Sequence, residues 1–327
     1  MTHFLCNLTG AVAPAKSLFG TMSANSVDKP YEPAHICAVV VTYHPLARYA
    51  DNILALAQQV GKVLVVDNGS DEDSLAAIRH ALARIDGVLM SMGGNVGIGA
   101  ALNAGLRFAQ QQGFAWLATF DQDSRVTEGM IATMLSTLDE YAYRERVAIV
   151  TPRHLEQGLR KIIQDRASAG AGHGWRLLIT TLTSGNLVRI QPALAAGGFD
   201  EGLFIDYVDH EFCLRLRRSG QQVLEASNAT LLHSLGRMQW RKILGLRIAV
   251  VNQPSTRRYY ISRNRVIVWR NYWRSVPFWV MRDVRRFFSE TLLILLFESD
   301  AKGKLAMTLK GIKDALAGIR GPFDPSR

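Results

Sequence analysis

A chain of 327 residues, 48% hydrophobic and 20% charged, can bury a large core and is too apolar for a disordered polypeptide. Its net charge of +10 is concentrated in a basic stretch from Arg215 to Arg286. That asymmetry suits a nucleotide diphosphate or an anionic membrane surface, and no motif accompanies it that would support nucleic acid as a partner.

Residues 1 to about 34 are expected to be a loosely ordered arm ending at the breakers Pro30 and Pro33. Ala11-Val12-Ala13 resembles a cleavage site but lacks the basic start and apolar run of a signal peptide. Ile36 to Tyr43 (ICAVVVTY) predicts a strand buried on both faces, and Lys62 to Val66 (KVLVV) a second that ends in the polar turn Asp67-Asn68-Gly69-Ser70. Helical spacing occupies Asp51 to Val60 and Asp73 to Ala83, and Gly87 to Met90 is a short strand. Glycines from Gly93 to Gly99 lead into a helix from Ala100 to about Gln111, and Ala115 to Phe120 (AWLATF) is a strand that stops on Asp121. This rhythm predicts a Rossmann-like α/β domain with a parallel sheet. Ligands of such sheets sit at the carboxyl ends of the strands, where Thr42-Tyr43-His44, Asp67-Asn68 and Asp121-Gln122-Asp123 converge.

Beyond about Ala148 the rhythm loosens, and this half is expected to pack on the same sheet and supply the second substrate's site. Helical periodicity returns over Asp209 to Arg218 and Arg257 to Trp273. No run reaches the roughly 18 to 20 apolar residues needed to span a bilayer. The best candidate, Phe287 to Phe297, is either a buried helix or a helix lying in the membrane interface behind Arg285-Arg286. Cys6, Cys37 and Cys213 show neither metal-ligand spacing nor a disulfide pattern, which points to the cytoplasm.

Several clusters carry chemistry. Asp121 and Asp123 at a strand end can hold a divalent cation, Mg²⁺ or Mn²⁺, that neutralises a leaving diphosphate. His233, after an apolar run, is a candidate third ligand or a structural histidine. Asp67 can accept from the imide N–H of uracil or thymine, or anchor an Asx turn. Gly97 and Gly99 let backbone approach a ribose or phosphate. Displacement at an anomeric carbon with inversion needs a general base, for which Asp206 and Asp209 are the candidates.

The ordered set VVVTYHP, VVDNGS, GNVGIGAALNAG, FDQDS, SGNL, GGFDEGLFIDYVDHEFCLRLRRSG and LLHSLG, over residues 36–236, resembles the family 2 glycosyltransferases, which have the GT-A fold. FDQDS, FIDYVDHEFCLR and RRYYISRNR resemble bacterial rhamnosyltransferases, and the length and tail resemble those that add a second rhamnose to a rhamnolipid. The resemblance implies a GT-A domain over 35–240 and a basic, partly amphipathic helical region over 241–327. It implies that Asp67, with Thr42, Tyr43 and Asn68, holds the thymine. Asn95, Gly97 and Asn103 would line the diphosphate side, with Asp121, Gln122 and Asp123 at the metal. Asp209 aligns with the usual base, although Val208 stands where many relatives carry an acid, which keeps Asp206 in contention. Ser184 and Gly185, with Arg258, Tyr259, Arg263 and Asn264 of the tail motif, are expected to contact diphosphate or acceptor.

The expected activity is inverting transfer of L-rhamnose from dTDP-L-rhamnose to an amphiphilic glycolipid, monorhamnolipid becoming dirhamnolipid, by a cytoplasmic enzyme peripheral to the inner membrane. The alternatives are a polyprenyl-linked O-antigen or polysaccharide acceptor, a non-catalytic nucleotide-binding protein, and an NAD-dependent oxidoreductase. The last is disfavoured because Gly94, Gly97 and Gly99 have the wrong spacing and follow the third strand. A homo-oligomer is left open.

Overall fold

The computed structural model describes residues 32–45, 49–156, 174–233, 238–243 and 246–326. The expected N-terminal arm lies outside these residues as far as Tyr31, and Pro33–His35 forms a single 3-10 turn. The first half alternates as anticipated: β1 (Ile36–Thr42), α1 (Tyr49–Ala57), β2 (Lys62–Asp67), α2 (Glu72–Leu82), β3 (Gly87–Ser91), α3 (Ile98–Gln111) and β4 (Trp116–Asp121). Every residue of β1 is buried, so its unbroken apolar run marks a strand covered on both faces. Asp71 caps α2 by accepting from the Ser74 N–H at 2.8 Å.

The second half supplies β5 (Arg125–Val126), α4 (Met130–Glu140), β6 (Val147–Glu156), β7 (Trp175–Leu178), β8 (Asn186–Arg189), α5 (Ile190–Ala195), α6 (Val208–Arg218) and β9 (Gln222–His233). It does pack on the same sheet. Among the described residues the strand order is β3-β2-β1-β4-β8-β6-β9-β5, with β7 also on β9. The first four strands are parallel, β8 is inserted antiparallel between β4 and β6, and β6 and β9 are parallel. From β1 the chain winds outward through β2 and β3, then returns to β4 on the other side of β1. The switch point therefore lies between β1 and β4, where a ligand crevice belongs.

A separate hairpin, β10 (Met238–Ile243) with β11 (Leu246–Val251), precedes three helices: α7 (Ser255–Tyr272), α8 (Pro277–Phe297) and α9 (Ala301–Leu316). Residues 32–327 form one compact unit, so these helices are part of the body that carries the sheet. Arg258, Arg263 and Arg265 of α7 are buried, and each guanidinium is bonded to protein oxygens. The buried-helix alternative for Phe287 to Phe297 fails, since only Ile294 in that stretch is buried. No described helix is long and apolar enough to cross a membrane.

α9 crosses α7 at Gly311, where an added Cβ would lie 2.5 Å from the Tyr259 carbonyl oxygen. In an exposed helix Gly→Ala would stabilise by up to about 1 kcal/mol. Here two backbones meet, so Gly311→Ala is expected to destabilise by about 1–3 kcal/mol. Thermal denaturation checks the sign, and a raised Tm would mean that the two helices cross less closely.

Candidate active site

The strand ends meet in register. Thr42 is opposite Asp67 on β2, and Val41 is opposite Asp121 on β4, so three polar ends share one edge. Gln122 locks β1 to β4: its Oε1 accepts from the Tyr43 N–H at 2.8 Å and its Nε2 donates to the Tyr43 carbonyl at 3.2 Å. Ser184 fixes the same turn from behind, its Oγ accepting from the Asp121 N–H at 3.0 Å and donating to Ser124 Oγ at 2.6 Å. Gly185, at φ 85°, donates its N–H to the Thr119 carbonyl at 2.6 Å. Ser184 and Gly185 therefore shape the turn from outside the cavity, while the preceding Leu182 and Thr183 line it.

Asp67 is fully buried and is not on the cavity wall. Its Oδ1 accepts from Thr42 and Ser70 hydroxyls, and its Oδ2 from the Gly69 and Ser70 N–H groups at 3.1 and 2.9 Å. Four donors fill its acceptor positions. The expected thymine contact is replaced by an Asx turn, and Thr42, Tyr43 and Asn68 of that cluster face the cavity. Asn68 in turn holds the glycine loop, donating to Asn95 Oδ1 at 3.2 Å and accepting from the Val96 N–H at 2.9 Å.

The glycines of that loop serve a close approach of another kind. A Cβ on Gly97 (φ 87°) would sit 2.6 Å from the Phe204 carbonyl oxygen, and one on Gly99 would sit 3.0 Å from the Asp200 carbonyl oxygen. The Ile98 N–H, first in α3, donates to Phe204 at 2.7 Å. The helix N-terminus thus binds the protein's own loop. Asn103 likewise turns away from the cavity, tying α3 to Phe199 and Glu201 through bonds of 2.7 to 2.9 Å.

That loop presents the two candidate bases, and it is strained. Phe204, Asp206 and Tyr207 all have φ of 64°, a region that costs a non-glycine residue about 1–3 kcal/mol. The tail motif holds it there. Asn264 Nδ2 donates to the carbonyls of Leu203, Ile205 and Asp206 at 2.8 to 2.9 Å, and Arg263 donates to Leu203 at 3.0 Å and to Gly321 at 2.6 Å. Tyr259 is buried against Asp314 of α9, to which its hydroxyl donates at 2.9 Å. Tyr259, Arg263 and Asn264 are therefore supports of the loop and its helices, and the expected ligand contacts do not hold for them. Tyr207 is secured through its hydroxyl, which donates to Asp283 at 2.8 Å and accepts from Arg265. Burial pushes that phenol's pKa up, which keeps it a donor.

Arg257, Ile261 and Arg265 recur every four residues along α7 and line the cavity, as does Arg258. Arg257 grips both oxygens of Asp206 at 3.0 to 3.3 Å. Burial raises the Asp206 carboxyl above its ordinary range, against the pull of that guanidinium. Asp209 opens α6. One of its oxygens accepts from the His210 N–H at 2.7 Å, and no cation pairs with it among the described residues.

The resulting cavity has a volume of about 1020 Å³. Asp121, Gln122 and Asp123 line it together with Asn95, Gly97, Asp206 and Asp209. Its far wall is cationic, from Arg257, Arg258, Arg265 and Arg286, against Glu290 and Glu298. Two carboxylates on one turn provide part of a hard cation's oxygen shell, and diphosphate and water oxygens would complete it. Among the described residues no three such side chains cluster as a self-sufficient metal site. His233 ends β9 opposite Glu156, and its side chain lies outside the described residues. Sequence reasoning missed Arg257, Arg265 and the α8 residues of the wall. The four-residue spacing within RRYYISRNR would have separated the cavity face from the supporting face.

A parallel half-sheet continued by antiparallel strands, with a paired-aspartate turn at its switch point, defines the GT-A class of nucleotide-sugar transferases. Residues 37–181 match the model of Glycosyl transferase family 2. The chain is 30% identical over 300 residues to the dTDP-rhamnosyl transferase RfbF of Shigella flexneri, which spans 88% of this chain and 96% of that protein. It is 29% identical over 244 residues to the galactofuranosyltransferase GlfT1 of Mycobacterium tuberculosis, or 70% and 80% of the two chains. Among solved structures, S. aureus TarS 1-349 with UDP-GlcNAc gives a TM-score of 0.56 at 14% identity, over 87% of this chain and 81% of that one. The mannosyltransferase PcManGT of Pyrobaculum calidifontis, in complex with GDP-Man and Mn²⁺, gives 0.53 at 16% identity, over 89% and 78%. These likenesses bear on the fold alone, which is GT-A. The chain belongs to glycosyl transferase family 2 and is a glycosyltransferase, which removes the oxidoreductase alternative.

If Asn264 supports the loop, Asn264→Ala should lower kcat by up to about 10²-fold, the scale of a small misplacement of reacting groups. Its affinity for a nucleoside diphosphate should change little. A raised donor KM at unchanged kcat would instead make Asn264 a ligand contact.

Proposed function

We infer that this enzyme transfers L-rhamnose from dTDP-L-rhamnose, with inversion, to a hydroxyl of an amphiphilic glycolipid collected at an anionic membrane surface. The donor assignment is supported by the likeness to a dTDP-rhamnosyl transferase over nearly its whole length. For the acceptor, the tail's resemblance favours monorhamnolipid, and a polyprenyl-linked glycan is the rival. Mass spectrometry of products from dTDP-rhamnose offered with each acceptor separates the two, and transfer to neither would remove the lipid-acceptor reading.

The observation that carries the mechanism is the contrast between Asp206 in the strained loop and Asp209 at the start of α6. Both oxygens of Asp206 are engaged by Arg257, whereas Asp209 faces the same cavity without a cation. Asp209 is accordingly the base: its carboxylate takes the proton of the acceptor hydroxyl as the oxygen attacks the anomeric carbon. Thr42, Tyr43 and Asn68 receive the nucleoside at the β1 and β2 ends. Arg257 and its cationic neighbours face the charge that grows on the departing diphosphate. Asp121 and Asp123 would hold a divalent cation, Mg²⁺ or Mn²⁺, which supplies further neutralisation of that charge when bound.

Two measurements test these roles. Asp209→Asn keeps the shape and removes the base, so kcat should fall by roughly 10² to 10⁴-fold while dTDP affinity holds. Asp206→Asn should be milder. The opposite ranking would exchange the two assignments. Asp123→Ala should abolish the Mg²⁺-dependent part of dTDP binding in calorimetry without lowering Tm, and turnover at the wild-type rate would remove the metal.

A further inference from the structure

α8 presents three different faces. Trp279, Val280, Asp283 and Ile294 are buried. Arg286, Ser289, Glu290 and Leu293 line the active-site cavity. Phe278, Met281, Phe288, Leu292, Leu295 and Leu296 stand 49% to 84% exposed. At about 100° per residue these six fall on a single stripe, and the cavity-lining face adjoins it. Arg286 and Ser289 are both exposed and both on the cavity wall, so the rim of the cavity runs along the edge of the stripe.

The charges around the stripe have one sign. Arg285 lies within it and Arg282 at its edge, both exposed and without an ion pair among the described residues. Just before the helix, exposed Trp273 is stacked under Arg274, at 5.1 Å from guanidinium carbon to ring centroid. The acids of α8 are turned inward. Asp283 accepts from Tyr207 and Trp269, and Glu290 from Arg265 and Arg286. Two copies packed stripe to stripe would oppose arginine to arginine. A surface of anionic headgroups over hydrocarbon complements both parts of the pattern.

We propose that α8 seats the enzyme on an anionic lipid surface through the Phe278–Leu296 stripe and its arginines, with the cavity rim against the bilayer. An acceptor's sugar then enters the cavity past Ser289 and Arg286 while its apolar tail stays in the lipid. The delivery of acceptor rests on the transferase reading of the cavity, and the docking itself does not.

The test uses the full chain with phosphatidylcholine vesicles, with and without phosphatidylglycerol. Wild type should sediment with the anionic vesicles and stay in the supernatant with the neutral ones, and high salt should weaken the association. Phe288→Ser with Leu292→Ser, and separately Arg282→Glu with Arg285→Glu, should each reduce partition at least about tenfold, on the view that cationic and apolar contributions act together. Calorimetric dTDP binding should match wild type in both variants, which also reports that they are folded. Phe288→Trp should give emission that shifts to the blue only with anionic vesicles. Wild type that binds dTDP but never sediments overturns the docking and leaves the transferase reading standing. Vesicle binding without dTDP binding does the reverse. If the variants turn a dimer into a monomer in sedimentation velocity while vesicle partition is unchanged, the stripe is a self-association face and the proposal fails.

Discussion

The catalytic side of this enzyme depends on the amide of Asn264. Three non-glycine residues in four hold left-handed backbone between Phe204 and Tyr207, and a chain left to itself would relax that stretch. The carbonyls released by such a path need partners, and one side chain, rigid on α7, collects those of Leu203, Ile205 and Asp206. The same loop receives the first N–H of α3 and presses against Gly97. Position and strain are thus shared among α3, α7 and the loop, and the acids at Asp206 and Asp209 inherit a fixed aim.

The second organising feature is electrostatic. Acids gather at the β4 turn and at the start of α6, and guanidinium groups on α7 and α8 face them across one cavity. In the proposed mechanism a diphosphate entering between these walls would meet cations already held in place by Asp206, Glu290 and Glu298. Such groups need little reorganisation when negative charge builds on the leaving group, which is the condition under which fixed charges act most strongly.

The parallel half of the sheet was legible because β1, β2 and β4 are buried on both faces and so appear as unbroken apolar runs, ICAVVVTY and KVLVV above all. Their polar ends were legible for the same reason, since each run stops abruptly. In the second half the helices α6 and α7 were legible from their periodicity, but the strand order was not. The insertion of β8 between β4 and β6 is set by contacts between residues some 70 positions apart in the chain, such as Thr119 with Asn186, and local periodicity carries no trace of it. At the site, the aspartates of the β4 turn and of α6, with Asn68, were picked out by position, and the structure brings them to one cavity. Asp67, Asn103, Arg263 and Asn264, expected at the ligand, instead bond the protein's own backbone, for one shared reason. A polar residue beside a ligand and a polar residue that holds the backbone beside a ligand have the same sequence signature, and only the count of satisfied hydrogen bonds separates them.

The turn at the end of β4 has a consequence for how its motif should be written. Paired aspartates of this kind are usually described with a free letter between them. Here the side chain of Gln122 reproduces one peptide unit, offering an acceptor to the Tyr43 N–H and a donor to the Tyr43 carbonyl. A carboxylate at that position would set an oxygen against the carbonyl, and a hydrocarbon would leave both groups unmatched. The middle letter is therefore as constrained as its neighbours, by backbone geometry rather than by chemistry at the substrate. Drift at Gln122 would register first at the Tyr43 turn beyond β1, before any aspartate had changed.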